Sequence, residues 1–317
     1  AEGLLAVMRA GASEYLPRPV SSQEVGEAFD RVRRKTRVDG KAEQGKLGRV
    51  ITVFSAKGGT GVTTVATNLS ATMKLLTEKE VLLLDMAPAL GTASVAMGVQ
   101  SRYSFVDVIH NFHRIDEELL HSFLEEDDSG VHVLAAPLSP AGMEVPTEEE
   151  LHGLLHLCKR YFDFVVVDGG SLLAEHLGPL LRESDDRLLV VTPDLPTLRN
   201  LKRALDLHGR TNGKAPPQLV LNQYKEGVSL SSQDVEDGLG HRVAVVLERD
   251  DTRILQSINI GRPEVHRGKS QFSKGMMTLG RKLAGPEVRQ EPRKGILGKI
   301  FRSGTSDSGR KGREEKK

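Results

Sequence analysis

A chain of 317 residues, 38% of them hydrophobic and 27% charged, can bury one large core with something smaller beside it. It has no Trp and only 4% aromatic residues, which argues against a stacking platform for single-stranded nucleic acid, and no apolar run approaches the ~18 residues that span a bilayer. The formal net charge of +1 conceals an asymmetry: residues 286–317 hold ten basic and five acidic side chains, making that tail +5 and all that precedes it −4, which points to a partner of the tail's own.

The chain opens Ala1-Glu2-Gly3, with neither an initiator Met nor a signal peptide, as a fragment beginning inside a domain would. Gly11 is placed to cap a helix before a short strand, Arg18-Pro19 ends that strand, and a helical pattern runs over 23–34. Residues 1–34 resemble the closing helix–strand–helix of a response-regulator receiver domain, whose usual Lys-Pro here reads Arg18-Pro19. Residues 35–48 are polar and glycine-containing, and read as a linker.

From there to residue 285 short β-branched runs alternate with amphipathic stretches. Strands are predicted over 50–54, 81–84, 131–134, 164–167, 188–191, 219–221 and 243–247, and helices over 63–76, 148–161 and 272–283. Near-continuous apolar strands separated by helices require a sheet buried on both faces. The predicted class is α/β, a doubly wound and mostly parallel sheet.

The first of these strands runs into Ser55-Ala56-Lys57-Gly58-Gly59-Thr60-Gly61-Val62-Thr63-Thr64 and then a helix. Glycines let backbone N–H groups close around phosphate oxygens, and a helix N-terminus adds its positive dipole end. Against the standard phosphate loop this one departs twice, with Ala56 for the first Gly and Val62 for the Lys that reaches the β- and γ-phosphates. It resembles the deviant loop of the MinD/ParA family of ATPases, which Lys57, Gly58, Gly59, Gly61, Thr63 and Thr64 match. The resemblance implies ATP and Mg²⁺ as cofactors, held by the loop from Lys57 through Gly58, Gly59, Thr60, Gly61, Val62, Thr63 and Thr64. It implies that Lys57 reaches across an ATP-dependent sandwich homodimer to the partner's nucleotide, and that the Thr63 hydroxyl is a Mg²⁺ ligand.

Three further sites follow strands in the family's order. Asp85-Met86-Ala87 stands where relatives read D-x-D, so Asp85 is kept and Ala87 replaces the carboxylate that positions the attacking water. Asp168-Gly169-Gly170 matches the Walker B position, and Asn222 matches the amide that reads the adenine edge. By resemblance, Lys57, Asp85 and Asp168 are the catalytic set, and Thr63, Asp85 and Asp168 the metal set. Phosphoryl transfer depends on positioning and on neutralising developing charge. Losing one such stabiliser costs ~3–4 kcal/mol of barrier, roughly 10²–10³ in rate, so losing two leaves turnover very slow while backbone contacts still hold ATP.

The stretch Val191-Thr192-Pro193-Asp194-Leu195-Pro196-Thr197-Leu198-Arg199-Asn200 resembles a signature of the TadZ/CpaE branch, the pilus-assembly ATPases of Flp/Tad secretion systems. That branch also joins a receiver-like domain to a degenerate phosphate loop. The expectation is a localisation and assembly factor, cytoplasmic and peripheral at the inner face of the cell membrane, at the pole, with pilus or secretion assembly proteins as partners. The rival is an active ParA- or MinD-type partition or positioning ATPase; binding to nucleic acid is disfavoured by the −4 balance outside the tail.

In the tail, Ile296, Leu297, Ile300 and Phe301 fall on one helical face, with Lys294, Lys299 and Arg302 off it or bordering it. Residues 293–302 thus resemble the C-terminal membrane-targeting helix of MinD, suited to an anionic surface. The lone thiol, Cys158, sits in an apolar run and reads as a core filler in a reducing compartment. His152 and His156, four apart, lack the rest of a zinc motif.

Overall fold

The computed structural model describes residues 47–87, 91–138, 145–171, 174–208, 216–285 and 288. The receiver-like segment 1–34, most of the linker and the basic tail, including its amphipathic stretch, lie outside the described residues.

Eight strands form one sheet: β1 (Arg49–Ser55), β2 (Val81–Asp85), β3 (Glu125–Glu126), β4 (His132–Leu134), β5 (Phe164–Ser171), β6 (Asp186–Val191), β7 (Gln218–Tyr224) and β8 (Val243–Glu248). Their order is β3-β4-β2-β5-β1-β6-β7-β8, and every pairing is parallel except β3 with β4. The doubly wound α/β class is therefore what the strand patterning predicted. The periodicity did not predict β3, two glutamates on an edge, because charged side chains on an edge strand carry no apolar signal.

Alternation along β1 explains why both faces are covered. Val50 and Phe54 join a core with Leu84, Val167, Leu154 and Leu177, whereas Ile51 and Val53 join a second core with Val65, Leu69, Met73 and Met276. Helix α1 (Val62–Thr77) supplies the second core with Val65, Leu69 and Met73, spaced four apart on one face. Each such side chain, taken fully out of water, contributes about 1.5–3 kcal/mol.

The remaining helices are α2 (Ala93–Met97), α3 (Phe105–His110), α4 (Glu117–Ser122), α5 (Glu148–Tyr161), α6 (Leu177–Glu183), α7 (Leu195–His208), α8 (Ser232–Leu239), α9 (Asp251–Asn259) and α10 (Gln271–Ala284). α5 has the predicted bounds because both ends are written locally. Thr147 and Glu150 close a capping box, three glutamates occupy its first turn, and Lys159 and Arg160 its last. Cys158 on α5 is fully buried, and burial pushes its thiol up to about 12. Gly48, the last residue assigned to the linker, is already part of the domain: its N–H donates to the Lys159 carbonyl at 2.8 Å.

β1 lies between β5 and β6, with β2 beyond β5 and β7 beyond β6, so the direction of winding reverses at β1. In open parallel sheets ligands collect beyond the carboxyl ends of the strands at such a reversal. The glycine-rich loop leaves β1 there.

Candidate functional site: the loop at the end of the first strand

Gly61 ends the loop and caps α1 with φ 92°, a left-handed conformation that disfavours any residue with a Cβ. The space is closed as well: a Cβ on Gly61 would stand 2.5 Å from the Asn222 amide nitrogen. That amide donates to the Thr60 carbonyl at 2.8 Å, and the Gln223 amide donates to the Gly59 carbonyl at 3.0 Å. Gln223 holds φ 57° to do so. The end of β7 thus clamps the phosphate loop from the side. Asn222 lies against the loop inside β7, with its amide on the Thr60 carbonyl; Gln223 carries no local sequence signal and was missed.

Lys57, Gly58 and Gly59 are exposed at the tip, and Thr60 is buried with its hydroxyl unpartnered. Lys57 Nζ stands 3.8 Å from Asp194, whose carboxylate also accepts from the hydroxyls of Thr192 and Thr197. Burial works against the Asp194 charge, but those hydroxyls and Lys57 hold its carboxyl below the ordinary range. The Thr192–Thr197 stretch therefore starts α7 and meets the loop lysine, a contact not predicted from sequence. Thr64, one residue past Thr63, offers its carbonyl to Asn68 and Thr67.

On the other side of β1 stand the two carboxylates. Asp85, the last residue of β2, and Asp168, inside β5, are register partners, 1% and 0% exposed. Asp168 accepts from the Thr63 hydroxyl at 2.6 Å and from the Gly170 N–H at 3.2 Å. Asp85 accepts from the N–H groups of Ala87 and Ala93, each at 3.0 Å. Gly91 passes so close to the Asp85 carboxylate that no side chain fits there. Burial, and after it the neighbouring Asp168, pushes Asp85 up to about 7; burial also raises Asp168. Two buried carboxylates side by side with a hydroxyl between loop and strand form a cation-seeking arrangement. Thr63 and Asp168 would hold Mg²⁺ against the phosphates, with Asp85 beside them, and the bound metal would supply electrostatic stabilisation there.

Val62 is 9% exposed and belongs to the core beneath α1, so this position adds apolar packing and no charge. Ala87 contributes only its backbone N–H to Asp85. Beyond the loop, a cavity of about 250 Å³ opens between α1, the end of β7 and the β8–α9 turn, with Gly61, Thr64, Asn222, Asp250 and Ile254 in its wall. The turn residues 248–251 were not singled out in the sequence. His152 pairs with Glu183 at 3.1 Å, and among the described residues no three metal-ligating side chains cluster. Among them also, no helix is long and apolar enough to cross a membrane.

A family model described as an AAA domain matches residues 48–207, half of the chain. The chain is 26% identical over 264 residues to the septum site-determining protein MinD of Bacillus subtilis, covering 80% of this chain and 97% of that one. The solved MinC:MinD cell division complex of Aquifex aeolicus superposes with a TM-score of 0.65 at 25% identity, over 77% of this chain and 98% of that one. A ParA family ATPase from Chlorobium tepidum superposes with a TM-score of 0.67 at 22% identity, over 73% of this chain and 98% of that one. With the deviant loop, the reversal at β1 and the paired carboxylates in place, the chain belongs to this AAA-domain family as a P-loop ATPase of the MinD/ParA type.

Proposed function

We propose that the protein is an ATP-binding, dimerising localisation and assembly factor of an Flp/Tad-type pilus secretion machine, with weak or absent ATP hydrolysis. The observation that carries the slow-hydrolysis reading is Val62 packed into the core where a cation would meet the β- and γ-phosphates. ATP with Mg²⁺ occupies the loop, the phosphates on the backbone from Gly58 to Thr64 and the metal on Thr63 and Asp168, supported by the solved Mg-ADP complex of a Pyrococcus horikoshii MinD. Lys57 reaches the nucleotide of a second copy when the sandwich forms, leaving Asp194. The base enters the cavity beside Asn222.

The pilus assignment rests on the resemblance of residues 191–200 and 1–34 to the TadZ/CpaE branch, with the basic stretch 293–302 as the contact to an anionic membrane. A second reading, an active positioning ATPase, is favoured by relatives named as septum site-determining proteins.

Purified protein incubated with Mg-ATP, then stripped of free nucleotide and analysed by chromatography, separates the two. Retained ATP with negligible ADP, together with a dimer by light scattering, is the expected outcome. Stoichiometric ADP and continuous phosphate release would defeat the slow-hydrolysis reading and move the positioning ATPase ahead. Co-sedimentation with anionic vesicles, with and without residues 286–317, tests the membrane contact; equal sedimentation of both forms sinks it.

A further inference from the structure

Behind the cavity wall lies a carboxylate that the nucleotide site does not explain. Glu264, in the short turn between α9 and α10, is fully buried, and neither of its carboxylate oxygens has a hydrogen bond. Two arginines face it beyond hydrogen-bond reach, Arg253 at 3.6 Å and Arg267 at 3.8 Å. A buried carboxylate so loosely held is costly, and a small movement of either arginine relieves the cost.

Arg253 is also committed elsewhere. It stands 3.3 Å from Asp250, whose carboxylate caps α9 through the Arg253 N–H at 3.1 Å. Asp250 lines the cavity. One guanidinium is thus divided between a carboxylate in the wall and a carboxylate in the core.

The other end of the turn is tied to the phosphate loop. The N–H of Val265, next to Glu264, donates to the Asn68 side-chain oxygen at 3.1 Å, and the Asn68 amide donates to the Thr64 carbonyl at 2.8 Å. Thr64 and Asp250 are two walls of one cavity, and Asn68, the Glu264 turn and Arg253 join them from behind.

We propose that Glu264 is a positioning residue for nucleotide: by drawing on Arg253 it sets where the Asp250 turn stands, and so how tightly the base is held. This rests on the reading that the cavity takes the base of ATP. On this proposal the turn has two positions, one with Arg253 drawn toward Glu264 and one with it left to Asp250, and filling the cavity selects the first. Removing the buried charge leaves Arg253 to Asp250 alone and fixes the turn in the other.

The test compares Mg-ATP with magnesium tripolyphosphate, which has the phosphates and no base, titrated calorimetrically into the full chain. Glu264→Gln keeps the shape and removes the charge. It is expected to weaken ATP about tenfold, roughly 1.4 kcal/mol, and to leave tripolyphosphate unchanged. Arg253→Lys, whose compact ammonium cannot serve both carboxylates, should repeat that pattern. The double variant should lose no more than either single one. Equal weakening of both ligands would mean that Glu264 acts through the loop as general scaffolding, and overturns the inference, as does unchanged ATP affinity in both variants. A wild-type chain that binds tripolyphosphate and ATP equally overturns the base-cavity reading and the inference with it. One that binds neither overturns the ATP reading itself.

Discussion

The two sides of the nucleotide groove are finished to different degrees. On the base side, Asn222 and Gln223 are neutral amides that spend their donors on the carbonyls of Thr60 and Gly59. On the phosphate side, Asp85 and Asp168 are register neighbours with burial working against both charges. The two amide contacts need no ligand. The carboxylate pair requires a cation, because the two loop positions that would add or order charge, Val62 and Ala87, offer a core side chain and a backbone N–H. On the proposed function, the contrast separates holding a nucleotide from cleaving it: the first needs the loop and its clamp, the second the charge that Val62 and Ala87 do not supply.

The largest expected effect repairs the unfinished side. Val62→Lys with Ala87→Asp should raise single-turnover ATP hydrolysis by at least roughly 10²–10³, the value of one restored electrostatic stabiliser out of two. Phosphate release indistinguishable from wild type would mean that the deficit lies elsewhere.

Next comes a change that breaks the contact between the two sides. Gly61→Ala must place a Cβ against the Asn222 amide at φ 92°. Strain of that kind is worth about 1–3 kcal/mol, so nucleotide affinity measured by titration should fall about 10–100-fold. Near-wild-type affinity would show that the β7 clamp does not set the loop.

The carboxylate pair is sharpened by pH. Asp85 binds its proton up to about 7 in the folded chain against 3.8 when unpaired and exposed. Between those values the folded state holds a proton that the unfolded state has released, so stability is lost as pH rises through that window. The nucleotide-free protein should therefore lose on the order of 2–3 kcal/mol between pH 5 and 8 relative to Asp85→Asn, read from denaturant melts. His132, His176 and His266, whose pKa values burial lowers, titrate alike in both forms and drop out of that difference. Parallel pH curves would mean the pair is not strained.

The smallest effect belongs to the finished side. Asn222→Ala removes one hydrogen bond and leaves the Thr60 carbonyl unpaired, which should weaken ATP about fivefold. A much larger loss would give Asn222 a direct part in base recognition beyond clamping the loop.

Legibility followed locality. α5 could be read to the residue because its charges lie within its own fourteen positions and its N-cap, Thr147, directly before them. The phosphate loop and Asp85, Asp168 and Asn222 could be read because each directly follows an apolar run. Gln223 meeting Gly59, Lys57 meeting Asp194, and Arg253 divided between Asp250 and Glu264 could not, since the first two span more than a hundred positions and none forms a periodic pattern.

What the sequence by itself determined is the class of fold and the chemistry available at the strand ends. Near-continuous apolar runs can only be buried in a sheet covered on both sides, and glycines before a helix leave N–H groups free for phosphate. Tertiary structure alone decided that Val62 turns into the core, that Asp85 and Asp168 are register neighbours with their charges opposed by burial, and that one buried glutamate lies behind the base cavity. Burial and proximity depend on which strand lies beside which, and that order is set by packing over the whole sheet, not by any local run of residues.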